Sequence, residues 1–186
     1  IPPSHGDKIL ALGRWEKEKN IEKILDLAQS LPKVHFIVAG SWTRQNDLSW
    51  FKSQITKRRI EKQLELITNY REDELPNICK KASFWIHPHF EAFSLSALEA
   101  ASHGLPIIIP EKSGVTELFK NGQHGFFPKI DDQKAFFESV KFLLQNPQKA
   151  RKMGRQAAQI ARQYTWLLHS QIIATKIDRF LKRNSK

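Results

Sequence analysis

Glu91 and Glu99 are the only charged residues in the 29 residues from 82 to 110, where the chain average of 26% would supply about seven or eight. Burying a carboxylate without a hydrogen-bond donor is costly, so we expect each glutamate to meet a donor from protein or ligand. Their spacing alone is weak support, because short motifs recur by chance. The uncharged setting of the two carboxylates therefore predicts a polar site.

A second candidate site lies in the segment from Gly13 to Asn20, after an apolar stretch. Gly13 lets the backbone approach a ligand closely, Arg14 offers a planar fork for phosphate oxygens, and Lys19 adds a point charge. A helix predicted to open at Asn20, a residue typical of helix caps, would add its free amides. The segment suits a bound anion, although alternating Lys and Glu are also typical of a solvated loop.

We expect the two glutamates to share one cleft at a helix N-terminus. Ser94 is predicted to cap this helix, with Glu91 before it and Glu99 a turn and a half in. The amides of residues 93–96 would favour a phosphate or a sugar hydroxyl. The alternative is a structural Glu99, paired with a basic residue elsewhere in the chain.

His87 and His89 are the one pair that could suggest a metal site, because imidazoles two positions apart on an extended segment can share an ion. The chain has a single cysteine, no HExxH motif and no Asp-x-Asp motif. We therefore predict ordinary histidines at a strand end and no metal ligands.

Short apolar segments alternate with longer amphipathic segments, which is typical of βαβ units in a parallel sheet with helices on both faces. This predicts an α/β, Rossmann-like fold in one domain, residues 1–186, whose ligands bind beyond the carboxyl ends of the strands. The predicted strands are 8–12, 34–39, 64–68, 84–87, 106–109 and 125–127. The predicted helices are 20–30, 48–62, 73–81, 94–103 and 133–144, followed by a C-terminal helical appendage at about 147–186 with helices 148–162 and 166–183.

The net charge of +11 favours an anionic partner, which could be nucleic acid, acidic lipid or phosphate. The basic segment 52–62 could be a nucleic-acid or membrane-surface patch or a solvated helix face. Scattered aromatic residues count against RNA recognition. The lone Cys79 is expected to be inert in a reduced, cytoplasmic setting, and the initial Ile1 suggests an excised fragment.

Several segments together resemble the C-terminal, donor-binding domain of retaining glycosyltransferase family 4, one half of the GT-B fold. They are, in order, G-R-x4-K-N from Gly13, HFIVAGSW, the block ITNYREDELPNICKKASFWIHPHFEAFSLSALEAASHGLPIII with its E-x7-E motif, SGVTELFKNGQHGFF, and Tyr164-Thr165-Trp166. The resemblance covers nearly the whole chain. Such ordered matches are far more specific than any single motif.

The resemblance implies a UDP- or GDP-sugar as substrate. Arg14 and Lys19 would neutralise the diphosphate, and Glu91 with the backbone of residues 93–95 would hold the sugar. Catalysis would then depend on Glu91, Arg14 and Lys19, without a metal or other cofactor, because fixed cations stabilise the leaving diphosphate. Glu99 would bind the ribose, and Tyr70 would lie near the base. The implied nucleotide-sugar site comprises Gly13, Arg14, Lys19, Tyr70, Glu91, Phe93, Ser94, Leu95 and Glu99.

Four positions depart from the family pattern. Ala92 and Ser94 replace the usual glycines on either side of Phe93, Asn20 stands where glycine is common, and Ser113 replaces the first of a glycine pair. Because alanine and serine are small, we expect a working site.

The resemblance also implies a partner, an N-terminal acceptor domain that this chain lacks, toward which the helix after Trp166 crosses back. The isolated chain is expected to be inactive or weakly active as a retaining hexosyltransferase. We expect a cytoplasmic protein, peripheral at the inner face of an anionic membrane, that binds no nucleic acid. The alternatives are a basic, Rossmann-like nucleotide or nucleic-acid-binding module without transferase activity, and a glycoside hydrolase that uses Glu91 and Glu99 as acid and nucleophile.

Overall fold

A parallel sheet of six strands forms the centre of the protein, as seen in a computed structural model that describes residues 6–184. The strands lie in the order β3-β2-β1-β4-β5-β6, and every neighbouring pair is parallel. Their bounds are Lys8–Leu12 (β1), Phe36–Gly40 (β2), Leu64–Thr68 (β3), Ala82–Ile86 (β4), Ile107–Ile108 (β5) and Gly125–Phe126 (β6). The prediction of a Rossmann-like sheet is confirmed.

Seven α-helices are present among the described residues. They are Glu22–Ser30 (α1), Gln45–Arg58 (α2), Leu75–Lys80 (α3), Leu95–Ser102 (α4), Gln133–Gln145 (α5), Pro147–Ala161 (α6) and Trp166–Asn184 (α7). The bounds predicted for the second helix, 48–62, are wrong. It begins earlier and stops at Arg58, because Arg59 adopts a left-handed backbone conformation with φ 56°.

The core has two layers because successive strand residues point to opposite faces of the sheet. On β1, Ile9 and Ala11 lie in the cluster that includes α1, α2 and α5. Leu10 and Leu12 lie in the opposite cluster, with α3, α4 and the later part of α6. With both faces covered by helices, the loops at the strand ends remain available for a site.

The two C-terminal helices differ in their packing. α6 contributes buried residues such as Met153 and Ala157 and contacts α4. In α7, every residue with a described side chain, 166–182, is exposed, including Trp166 and Phe180. Within the described part of the chain, no helix is long and apolar enough to cross a membrane.

The contact between Gly40 and Gly13 generates a stability prediction. Gly40 has φ 130°, and a Cβ atom there would lie 1.8 Å from the Gly13 carbonyl oxygen. Gly40→Ala should therefore lower the free energy of unfolding by roughly 3 kcal/mol or more, as measured by urea denaturation.

The matched control is Gly122→Ala. Gly122 also has a positive φ, 77°, but a Cβ there would meet nothing within 4 Å. This substitution should lower the free energy of unfolding by only about 1 kcal/mol. Equal losses for the two variants would contradict the steric explanation.

Candidate functional site

The strand order reverses between β1 and β4, because the chain first adds β2 and β3 on one side of β1 and then β4, β5 and β6 on the other. In open parallel sheets, ligands bind at the carboxyl ends of the strands at such a reversal. The loops that follow β1 and β4 are adjacent there. A Cβ atom built on Gly13 would lie 3.8 Å from His87 Nε2 and 3.9 Å from Ser96 Oγ.

Lys19 and Glu91 form an ion pair across these two loops. Lys19 ends a short 3-10 turn, Lys17–Lys19, and its Nζ donates a hydrogen bond of 2.6 Å to Glu91 Oε1. The two side chains are 13% and 22% exposed, so the pair is mostly shielded from water. The predicted cationic loop and the first predicted glutamate therefore lie in direct contact.

His87 is the second donor to Glu91. Its Nε2 lies 3.1 Å from Glu91 Oε1, and its side chain is 1% exposed. The ring packs against Trp15 and Trp85, with centroid distances of 5.1 and 5.8 Å. The sequence interpretation took His87 for an ordinary residue at a strand end and missed this contact. Its position four residues before Glu91, in an uncharged stretch, was the available signal.

The two donors set the charge of Glu91. Burial opposes its ionisation, but the hydrogen bonds from His87 and Lys19 outweigh burial and lower the pKa of Glu91 to about 2. Burial lowers the pKa of His87, although Glu91 opposes this effect. At neutral pH, a neutral imidazole and a lysine cation therefore both donate to a carboxylate anion.

The backbone around Glu91 is held by the loop after β5. The Glu91 N–H donates to Ser113 Oγ at 3.3 Å, and the Gly114 N–H donates to the Glu91 carbonyl at 3.1 Å. A Cβ on Gly114 would lie 2.1 Å from the Ala92 carbonyl oxygen, so glycine is required there. Ser113, which replaces a family glycine, is fully buried and contributes the hydroxyl that fixes Glu91.

Two other departures from the family pattern adopt backbone conformations that favour glycine. Ser94 has φ 77°, and its Oγ accepts a hydrogen bond of 3.3 Å from the Ala97 N–H at the start of α4, as the predicted cap does. Asn20 has φ 54°, an angle that asparagine tolerates better than most residues. The prediction that a helix opens at Asn20 with Asn20 as its cap is wrong, because α1 begins at Glu22 after Ile21.

Arg14 and Phe93 lie exposed on the same two loops, and Leu95 is exposed at the start of α4. Phe93 is 40% exposed and Leu95 is 50% exposed. Over residues 6–184, the Arg14 guanidinium forms no hydrogen bond or ion pair, in contrast to Lys19. Arg14 is thus a cation available to an anionic ligand.

Glu99 differs from Glu91, because it lies on the exposed side of α4 and has no ion pair or hydrogen-bond donor among the described side chains. The alternative of a structural Glu99 paired with a basic residue is therefore not found among the described residues. Partial burial of the carboxyl group, and then the charge of Glu72, raise its pKa. Burial, and then the charge of Glu99, raise the pKa of Tyr70 to about 12, so Tyr70 and Glu99 lie within electrostatic reach of each other.

The remainder of the carboxyl edge contains an open groove of about 510 Å³ at the ends of β5 and β6. Its lining residues include Lys112, Lys129 and Ile130, and none of the predicted site residues lies in it. In the described range, no group of three or more His, Cys, Asp and Glu side chains could hold a metal ion.

Comparison with known proteins identifies relatives of this chain. The family model described as "Glycosyl transferases group 1" matches residues 2–160. Glycogen synthase of Mycobacterium tuberculosis is 29% identical over 157 residues, which are 82% of this chain and 37% of that protein. The chain therefore spans little more than a third of this relative.

Solved structures share the fold. Sucrose-phosphate synthase from Thermosynechococcus elongatus superposes with a TM-score of 0.84 at 17% identity, over 95% of this chain and 46% of that chain. The Anabaena protein HepE, in complex with UDP-glucose, superposes with a TM-score of 0.82 at 20% identity, over 94% of this chain and 49% of that chain. These neighbours are GT-B glycosyltransferases, and the chain corresponds to about half of each.

The opposite pKa shifts of the two glutamates generate a pH prediction. Because the pKa of Glu91 is lowered from 4.5 to about 2, its contribution to stability is complete above pH 4.5 and is lost as the pH falls toward 2. Glu91→Gln should therefore show a smaller loss of unfolding free energy on acidification than the wild-type chain. Urea denaturation across this pH range, followed by tryptophan fluorescence, measures the difference.

Glu99→Gln provides the contrast. A raised pKa means that Glu99 stabilises the fold below pH 4.5 and loses this contribution as the pH rises through the raised value. Glu99→Gln should therefore gain unfolding free energy more steeply than wild type from acid to neutral pH. If the unfolding free energy of the wild type and of both variants changed with pH in parallel, the two pKa shifts would be contradicted.

Proposed function

The chain belongs to the glycosyl transferases group 1 family, and we propose that it is the donor-binding half of a two-domain glycosyltransferase that takes a UDP- or GDP-sugar. The contact between Lys19 and Glu91 at the β1/β4 reversal carries this proposal. This contact pairs a lysine cation with a carboxylate that can accept hydrogen bonds from sugar hydroxyls. A nucleotide sugar presents the complementary groups, because its anionic diphosphate lies between two hydroxyl-bearing sugars.

In this proposal, Arg14 and Lys19 bind the diphosphate. Arg14 is exposed and unpaired among the described residues, so its guanidinium can contact phosphate oxygens without breaking a protein contact. The Lys19 ammonium has three donors, so it can keep its bond to Glu91 while it contacts a phosphate. The N-terminus of α4, with Phe93, Ser94 and Leu95 around it, faces the same anion.

The two glutamates then take different sugars. Glu91 and the loop backbone hold the transferred sugar, since this carboxylate is ionised and fixed in place. Glu99 binds the ribose hydroxyls because it is exposed and has no donor among the described residues. Tyr70, which lies near Glu99, would lie near the base of the nucleotide.

The proposed reaction transfers a hexose with retention. The bond from the anomeric carbon to the diphosphate breaks, an acceptor hydroxyl bonds to the same face, and the hydroxyl proton leaves with the diphosphate. Arg14 and Lys19 stabilise the charge that develops on the leaving group, so the proposal needs no metal ion. The anomeric configuration of the product, determined by NMR, checks retention.

UDP and UDP-glucose are the natural first ligands, because HepE is solved with UDP-glucose. We predict that the chain binds UDP or GDP, or one of their sugars, in calorimetry, and that EDTA leaves the affinity unchanged. Lys19→Met should weaken binding by roughly 10- to 100-fold, because it removes a charge-assisted hydrogen bond.

Lys17→Met is the matched control for this titration. Lys17 lies in the same 3-10 turn, but its Nζ packs over the Trp50 ring at 5.0 Å and is exposed. This variant should bind like wild type. A folded wild-type chain that binds none of these ligands would overturn the proposed function.

The basic nucleic-acid-binding module is not favoured, because the family match and the relatives are glycosyltransferases. We propose that the positive charge has no nucleic-acid partner. Salt-dependent retention on DNA or RNA that persists in a Glu99→Gln variant would contradict this. A glycoside hydrolase is disfavoured for the same reason, and release of sugar from an aryl glycoside would revive it.

We also propose that α7 packs against an acceptor domain of the full-length protein. Trp166, Ile173, Ile177 and Phe180 follow a helical spacing of three, four and seven, so they lie on one side of the helix. All four are exposed, with fractions from 44% to 73%. Exposed apolar surface of this kind is typical of a contact with another domain.

A copurification experiment tests this contact. The domain encoded immediately before Ile1 should copurify with this chain, and Ile177→Gln with Phe180→Gln should abolish copurification. Because both positions are exposed, the stability of the isolated chain should change by no more than about 0.5 kcal/mol.

The opposite, charged side of α7 supplies the control, because Arg179→Gln with Lys182→Gln should keep the contact. An upstream sequence that encodes no domain would overturn the proposal. Transfer activity should also be low for the isolated chain and rise when that domain is added.

A peripheral position at an anionic membrane is a further proposal, supported by the net charge of +11. Cosedimentation of the chain with anionic vesicles at low salt, and its release at high salt, is the expected behaviour. Equal sedimentation with neutral vesicles would contradict an electrostatic contact.

A further inference from the structure

His87 is a buried polar side chain that the proposed roles leave unused. It directly follows β4, and its ring is enclosed by Trp15 and Trp85. With 1% exposure, it has no direct access to a ligand in solution. An uncharged aliphatic residue could fill the same space, so its polar atoms need an explanation.

The hydrogen bonds of His87 define its tautomer. Nδ1 lies 3.4 Å from the backbone nitrogen of His89 and accepts its N–H. The proton of the neutral ring is therefore on Nε2, which lies 3.1 Å from Glu91 Oε1. The contact with the His89 N–H orients the His87 ring, and Nε2 is the atom that donates, toward Glu91.

Glu91 Oε1 accepts from both His87 and Lys19, and in the described part of the chain Oε2 has no protein donor. One carboxylate oxygen is thus occupied by protein donors, while the other stays open to a hydroxyl. Without His87, the carboxylate could rotate about the Cγ–Cδ bond of Glu91. Either carboxylate oxygen could then accept the hydrogen bond from Lys19.

We propose that His87 is a positioning residue that fixes the Glu91 carboxylate through Oε1 and keeps Oε2 directed at the sugar of the bound donor. This inference rests on the proposed function, because it assigns Glu91 to the transferred sugar. It assigns His87 no contact with the donor itself.

The test compares His87→Leu with His87→Gln. Leucine removes the donor, whereas the glutamine amide nitrogen can occupy the position of Nε2 and restore the hydrogen bond. UDP and UDP-glucose are the two ligands, or GDP and GDP-mannose if the wild-type chain prefers GDP. His87→Leu should weaken binding of the nucleotide sugar about tenfold more than binding of the nucleotide, and His87→Gln should recover most of this difference.

A ligand-free measurement separates this inference from the proposed function. In an NMR titration, the pKa of the Glu91 carboxyl should rise from about 2 toward 4.5 in His87→Leu and stay low in His87→Gln. His103→Leu is the control, since His103 lies at the far end of α4, and it should leave Glu91 unchanged.

The outcomes are distinct. If the wild type binds no nucleotide while the titration behaves as expected, the proposed function fails and the hydrogen bond from His87 stands. If the wild type binds but His87→Leu weakens both ligands equally, or weakens neither, the positioning role is overturned. If His87→Leu does not fold, His87→Gln still decides the matter, because a large loss of sugar discrimination in that folded variant would contradict the proposal.

Discussion

One carboxylate oxygen, Glu91 Oε1, holds the candidate site together, because it accepts hydrogen bonds from Lys19 at 2.6 Å and from His87 at 3.1 Å. These donors come from the loop after β1 and from the end of β4, the two strands at which the sheet order reverses. The same contact lowers the pKa of Glu91 to about 2 and shields most of the Lys19 charge from water. The hydrogen bonds to Glu91 Oε1 therefore set both the charge of the Glu91 carboxyl group and its position between the two loops.

The surrounding backbone is built to allow this contact. Gly40 lets the β2 loop pass against Gly13, and Gly114 lets the β5 loop pass against Ala92, with no room for a Cβ atom in either place. Ser113, which stands where the family has glycine, contributes a hydroxyl to the Glu91 N–H. Ser113 thus adds a polar contact to the loop that contains Glu91.

The two glutamates of the E-x7-E motif are physically unlike. Glu91 is fixed, ionised and bonded to protein donors, whereas Glu99 is exposed and has a raised pKa. In the proposed function, Glu91 holds the transferred sugar and Glu99 binds the ribose of the donor. The chain belongs to the glycosyl transferases group 1 family, and α7 exposes apolar side chains that include Trp166 and Phe180.

The sequence by itself determined the strands, the parallel sheet and the uncharged stretch around Glu91 and Glu99, because these follow from local periodicity and composition. It placed the start of α1 at Asn20 and the end of α2 at residue 62, and both were wrong, because Asn20 and Arg59 adopt left-handed conformations that residue type alone does not specify. Only the tertiary structure decided that Lys19, 72 positions away, binds Glu91, and that His87 does as well while Glu99 stays exposed. Such contacts depend on how the sheet order brings distant loops together, and no local pattern in the chain encodes that distance.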